Sequence, residues 1–271
     1  MRSKWGTAVI VFILLLYAGA IVVGLHIRNF SLLQIGSGAQ IGTSWQAPRI
    51  SSIASAGQAD SVHYGALLFD ETPLYATKYT GAKISCTSCH AEGGIQPYAS
   101  PMIGLPALFP MYNKRAGHVI SLQDRIQECF VRSENGKPIP YDGIEMKALV
   151  DYITWLSEPQ AGRKPFVGRG LIHLPDLNPD PKHGAEIYAS QCAGCHGQNG
   201  EGTGPLFPAA WGPGSFNDGA GMNDIAKMAP FVQKNMPQNR PGILSPQDAY
   251  DVSSFIHAQP RPTFNQAYKH F

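Results

Sequence analysis

The chain has 271 residues, 44% of them apolar and 15% charged, with 21 Lys+Arg against 19 Asp+Glu and a formal charge of +2. So small and scattered an excess argues against a nucleic-acid binder, and the apolar content excludes a disordered chain. With 29 Gly, 22 Pro and no collagen period, the composition predicts a mainly α protein of short helices joined by long ordered loops, with little extended sheet.

After Arg2 and Lys4, the run Thr7 to Leu25 carries no charge. As a helix at about 1.5 Å per residue it would span roughly 28 Å, close to a bilayer core. Two cations precede the run and Arg28 follows it, a bias that places the N-terminus inside and the rest outside. Ala18-Gly-Ala20 resembles a signal-peptide cleavage site, yet Ile21 to Leu25 continues the apolar run past it. Residues 1–28 therefore read as a membrane anchor, with a cleaved signal as the alternative, and either exports the domains to an oxidising compartment. That places them at the periplasmic face.

Residues 29–60 are rich in Ser, Gly, Ala and Gln and read as a tether. The remainder divides into two comparable units, 61–160 and 181–271, separated by a linker at 161–180 that Asn178-Pro-Asp-Pro181 punctuates. The order of features repeats. Gly65-x-x-x-Phe69 precedes Cys86-Thr-Ser-Cys89-His90, and Gly184-x-x-x-Tyr188 precedes Cys192-Ala-Gly-Cys195-His196. Each unit closes with an amphipathic helix, Glu145 to Ser157 and Pro246 to Ala258. Their Tyr152/Trp155/Leu156 and Val252/Phe255/Ile256 lie at i, i+3, i+4. This is an internal duplication with divergence.

Cys-x-x-Cys-His suits covalent haem: the two thiols add to two vinyl groups, and the adjacent imidazole becomes an iron ligand. Zinc would place the adjacent Cys89 and His90 awkwardly on one ion with no obvious fourth ligand, and thioredoxin-like chemistry needs a βαβ setting that the sequence does not offer. Two covalently bound haem c groups are expected, on Cys86, Cys89 and His90 and on Cys192, Cys195 and His196. Both units resemble class I c-type cytochromes, which implies two such domains in tandem behind an N-terminal transmembrane helix. It also implies a glycine at each crossing of the first and last helices.

In class I cytochromes the distal ligand is usually a methionine just before the last helix. Asn235-Met236-Pro237 occupies that place, with Met228 and Met222 as competitors that could equally be core packing. His196 to Met236 is 40 positions, and 39 positions after His90 stands Cys129, the one cysteine outside the paired motifs. Cys129 is thus the expected distal ligand of the first haem, as a thiolate, with Met102 or Met111 as alternatives. A thiolate lowers the iron potential and a thioether raises it, so the pair would form a step from a His/Cys to a His/Met haem.

A sulfur ligand in one unit alone suggests chemistry there, and sulfur attacks sulfur readily. Lys114, Arg115, Arg125 and Arg132 surround Cys129 in sequence. Arg125 lies one helical turn before it and Ser133 one turn after, as an anion-binding site would need. The segments Ser121 to Gly136, containing Cys129-Phe-Val-Arg-Ser-Glu-Asn-Gly136, and Trp211 to Met222 are similar to those of the dihaem thiosulfate dehydrogenases. These are related to the cysteine-ligated cytochromes of sulfur oxidation. The resemblance implies oxidation of two thiosulfates to tetrathionate, reversed in some members, with electrons passing to an external acceptor such as a soluble or membrane cytochrome. By position, Cys129 would be catalytic, with Arg115, Arg125 and Ser133 in the pocket. Some members carry a switching lysine before the distal methionine; Asn235 stands there, so no such switch is expected. A non-catalytic dihaem electron carrier and a dihaem peroxidase are the rival readings.

Overall fold

A computed structural model describes residues 40–41, 45–46, 48, 53, 59–158, 168–203 and 206–271. The segment read as an anchor, 1–28, lies outside the described residues, as does most of the tether. Among the described residues no helix is long and apolar enough to cross a membrane.

Short helices dominate, as the composition requires. Among the described residues, extended structure is confined to two small antiparallel pairs: β1 (Gln40–Ile41) with β2 (Trp45–Gln46), and β3 (Met111–Asn113) with β4 (His118–Ile120). The first unit runs α1 (Ala59–Asp70), α2 (Thr72–Tyr75), α3 (Cys86–Cys89) and α4 (Ala91–Gly94). The β3–β4 hairpin follows, then α5 (Leu122–Arg132) and α6 (Ile144–Ser157). The second unit runs α7 (Pro181–Ile187), α8 (Ala193–His196), α9 (Ile225–Asn235) and α10 (Pro246–His257). A single π turn over Tyr188–Cys192 joins α7 to α8.

Each unit is built on the crossing of its first and last long helices. At Gly65 an added Cβ would stand 2.1 Å from the Ala148 carbonyl oxygen, and at Gly184 2.0 Å from that of Asp251. Only glycine allows these backbones so close. Phe69 packs on Tyr152 at 5.5 Å between ring centroids in one crossing, and Tyr188 on Phe255 at 5.6 Å in the other. Each such aromatic pair adds about 1 kcal/mol beyond its buried area. The predicted helix faces are the buried ones: Tyr152, Trp155, Leu156, Val252 and Ile256 are all in the core, with Phe255 packed against it.

Capping explains where the functional helices begin. The Ser121 hydroxyl accepts from the Asp124 N–H at 3.1 Å while the Asp124 carboxylate accepts from the Ser121 N–H at 2.7 Å, a reciprocal box that starts α5. Ser245 and Asp248 repeat it for α10, and Asp180 caps α7 ahead of Pro181.

The two units are not beads on a string. Tyr98 and Ser100 donate their N–H groups to the carbonyls of Gly168 (2.7 Å) and Gly170 (2.9 Å), within the stretch 161–180. Leu174, a few residues on, is buried in the second unit's core. Further across, Lys83 N–H donates to Gly214 O at 2.8 Å, and the Asn217 N–H to Arg132 O at 3.2 Å.

Candidate active site

In each unit the Cys-x-x-Cys-His segment follows the first helix, and a tyrosine hydroxyl pins the backbone just beyond the histidine. Tyr152 donates to Gly93 O and Tyr188 to Gly197 O, both at 2.8 Å. The His90 Nδ1 bonds the Ser100 carbonyl at 2.7 Å, and the His196 Nδ1 bonds the Pro208 carbonyl at 2.8 Å. Each ring is thereby oriented with Nε2 left to bind a metal. Burial pushes the His90 imidazole down to about 4, so the ring is neutral, as an iron ligand must be. No two of the five cysteines are joined by a disulfide. Burial drives the Cys86 thiol well up, the Cys89 thiol up to about 12 and the Cys192 thiol up to about 11. Two thiols one helical turn apart, followed by an imidazole oriented through its Nδ1, fit covalent haem in both units.

Cys129 lies on α5, half-buried, near enough to Cys86 and Cys89 to contribute to raising both thiols. The helix thus brings the odd cysteine to the first attachment segment. Met102, the first alternative, is buried against Phe69 and Gly94 in the core, and Met111 is exposed on β3. Arg125 Nη1 stands 3.3 Å from Cys129 Sγ, and the cysteine is the largest influence raising the arginine's pKa. The i, i+4 reading of the sequence is realised in this contact.

Arg115 reaches the same place from the β3–β4 turn, through a residue the sequence reading passed over. Glu128 is 1% exposed, and its Oε1 accepts from Arg115 Nε at 3.1 Å and Nη2 at 2.8 Å. Its Oε2 accepts from Asn113 Nδ2 at 3.0 Å and faces Arg125 Nη1 at 3.3 Å. A carboxylate beside Cys129 and three residues after Arg125, on the same helix face, was the available signal. Ser133 caps α5 one turn after Cys129, its N–H donating to the Cys129 carbonyl. Arg132 is not part of the cluster: it is buried, stacks 4.0 Å from the Phe264 ring centroid and donates to Phe271 O at 3.1 Å. Lys114 is exposed on the turn.

The second unit supplies part of the wall. Arg115 Nη1 donates to Gly219 O at 3.3 Å, and Asn217 Nδ2 donates to Val131 O at 2.9 Å and to Asn135 Oδ1 at 3.1 Å. The segment 211–222 singled out in the sequence is therefore the one that closes over α5. Glu134, also buried, has its Oε2 without a partner among the described residues, and burial holds its carboxyl well above the carboxylate range.

Among the methionines of the second unit, Met228 is 5% exposed within the core, while Met222 and Met236 are partly buried against it. Met236 ends α9, the element that precedes α10. Asn235, just before it, is buried and donates to Tyr98 O at 3.2 Å across the two units. Lys227 pairs with Asp224 at 2.8 Å on the surface.

Two helix crossings, each cradling an attachment sequence with an oriented imidazole, define a protein of two cytochrome c domains. The description "SoxA/TsdA, cytochrome c domain" matches residues 72–160, and "Cytochrome C oxidase, cbb3-type, subunit III" matches 179–256. The chain is 34% identical to a thiosulfate dehydrogenase of Allochromatium vinosum, covering 81% of this chain and 85% of that one. It is also 34% identical to one of Stutzerimonas stutzeri, covering 94% and 86%. A solved thiosulfate dehydrogenase (TsdBA) from Marichromatium purpuratum superposes with a TM-score of 0.75 at 33% identity, over 80% of this chain. The present chain spans about half of that longer one, 49%. The chain belongs to the thiosulfate dehydrogenase family of cytochromes c.

Proposed function

We propose that the protein joins two thiosulfates into tetrathionate, with release of two electrons, at Cys129 in the first cytochrome c domain. The observation that carries this is the contact of Arg125 with Cys129 Sγ at 3.3 Å, beside the first pair of attachment cysteines. Arg115 and Arg125 would seat the thiosulfate dianion by charge-assisted hydrogen bonds, and Ser133 would add a hydroxyl. His90 and Cys129 would hold one haem c, and His196 and Met236 the other, Met228 and Met222 being the competing thioethers. Haem c, when bound, supplies one-electron redox chemistry at a potential its ligands set.

The reaction balances as two S2O3 dianions giving one S4O6 dianion and two electrons. Cys129 Sγ would form a disulfide-type bond to the sulfane sulfur of the first thiosulfate as two electrons leave. The second thiosulfate would then attack that sulfane sulfur, forming the central S–S bond and breaking the bond to Cys129, which returns as thiolate. The second domain would be the electron exit toward an external cytochrome. We place both domains at the periplasmic face, with residues 7–25 as membrane tether.

The test is thiosulfate-dependent reduction of an artificial acceptor by purified holoprotein, with Cys129→Gly alongside. Turnover that disappears in the variant while both haems stay attached is the expected result. Thiosulfate inertness of the native protein, with tetrathionate reduction also absent, would leave an electron carrier; peroxide turnover instead would indicate a peroxidase.

A further inference from the structure

The buried carboxylate of Glu128 does not touch the sulfur, yet it is the point at which both cations of the site meet. Taking a carboxylate out of water costs several kcal/mol unless fixed donors offset it. Here Arg115 Nε and Nη2 donate to Oε1 and Asn113 Nδ2 donates to Oε2, while the Arg125 guanidinium forms an ion pair with Oε2 at 3.3 Å. The anion is 1% exposed, whereas the two arginine side chains remain 38% and 39% exposed. Surface ion pairs leave both partners in solvent; this one hides the acid and leaves the cations at the mouth.

The two arginines come from unrelated places, a hairpin turn and a helix, so backbone alone cannot align them. Asn113 Oδ1 fixes the turn by accepting from Arg115 N–H at 2.9 Å and Ala116 N–H at 3.2 Å. Arg125 Nη1 lies 3.3 Å from both Glu128 Oε2 and Cys129 Sγ, held between carboxylate and sulfur. Gln127, the neighbouring buried polar residue, is spent on the backbone of Ile139, accepting from its N–H at 2.9 Å and donating to its carbonyl. Glu128 alone among the buried polar residues of α5 faces the cluster.

We propose that Glu128 is a positioning residue that clamps Arg115 and Arg125 into one receptor for the substrate dianion beside Cys129. This rests on the reading of Cys129 and the arginines as the thiosulfate site. It makes a prediction opposite in sign to simple electrostatics. Removing a negative charge next to an anion site should tighten binding if charge were the whole effect. Removing the clamp should weaken it.

The experiment compares Glu128→Gln and Glu128→Asp holoproteins with the native protein, by thiosulfate kinetics and by calorimetric titration of the fully oxidised proteins with tetrathionate, which then has no electrons to receive. Glu128→Gln turns an N–H2 toward Arg125 and Asn113. The thiosulfate KM is expected to rise about tenfold with kcat changed less than about threefold, and tetrathionate binding to weaken in parallel. Glu128→Asp keeps the charge but shortens the reach, and should fall between. A Gln variant with unchanged or lower KM, or an Asp variant equal to native, overturns the proposal. Should Glu128→Gln fail to take up haem, Glu128→Asp alone decides by the same criterion. A native protein inert to thiosulfate would sink the functional reading instead, a result separate from equal KM values in active proteins.

Discussion

Asn217, in the second cytochrome c domain, donates its side-chain amide to the carbonyl oxygen of Val131 at 2.9 Å, two residues beyond Cys129 in the first. The same amide reaches Asn135 Oδ1 at 3.1 Å, and Asn217 is 1% exposed. Asn217→Ala would leave the buried Val131 carbonyl and the half-buried Asn135 Oδ1 without this donor, at a cost of about 2 kcal/mol. Because the contact seats residues 217–219 against α5 and Arg115, thiosulfate turnover should fall along with the thermal midpoint. A variant that unfolds earlier but keeps native KM and kcat would show that the second domain is only a neighbour of the site.

Substitution of the two crossing glycines should act on one domain at a time. A methyl at Gly65 meets the Ala148 carbonyl oxygen at 2.1 Å, and at Gly184 the Asp251 carbonyl oxygen at 2.0 Å, so a helix must move. Each Ala variant should lose about 3 kcal/mol and should lose haem from its own domain first. Gly221→Ala, where a Cβ meets nothing within 4 Å, should be near neutral. Denaturant unfolding and haem quantitation per chain would check this; equal loss from both domains would contradict it.

Cys129→Met exchanges a thiolate for a neutral thioether at the same helix position. The potential of the first haem should rise, since the anion favours ferric iron, and turnover should fall on the order of 100-fold. A spectroelectrochemical titration reads the first, acceptor reduction the second. An unmoved potential would mean that Cys129 is not an iron ligand.

The duplication, the attachment segments and the faces of α6 and α10 were all legible in the sequence, because each is written in residue spacing. Spacing also pointed to Cys129 and, through i, i+4, to Arg125. It could not show that the hydroxyl pinning each attachment segment comes from the last helix in one domain (Tyr152) and from the π turn that ends the first helix in the other (Tyr188), because the aromatic pair is swapped. Nor could it find Glu128 or separate Arg115 from Arg132. Both arginines flank Cys129 in sequence, but one turns to the carboxylate and the other to the Phe264 ring. Those choices depend on the hairpin folding back on α5, 13 positions from Arg115 to Glu128, and on the second domain closing over it through pairs such as Arg115–Gly219 and Arg132–Phe271, more than a hundred positions apart.

The helix crossing of the second domain carries a titratable clamp. Asp251, 2% exposed, accepts from Asp180 N–H at 2.7 Å, Gln247 Nε2 at 2.7 Å and His183 Nδ1 at 2.8 Å. Burial alone would raise its carboxyl; those hydrogen bonds outweigh it and hold the group below the usual range. The Asp251 bond in turn raises His183. A depressed carboxyl contributes stability above its unfolded pKa, about 3.9, and loses it as pH falls through the folded value. A raised histidine contributes fully below about 6.5 and loses it as pH rises through its folded value. The difference in thermal midpoint between native and His183→Ala holoproteins should therefore be widest between about pH 4 and 6.5 and shrink toward pH 9. Asp251→Ala should lower the midpoint across that whole range, by an amount equivalent to about 2–3 kcal/mol, since it also orphans the Asp180 N–H at the start of α7. A His183→Ala difference that is flat with pH would mean that the imidazole titrates alike in the folded and unfolded protein, and that Asp251 is held by its amide donors alone.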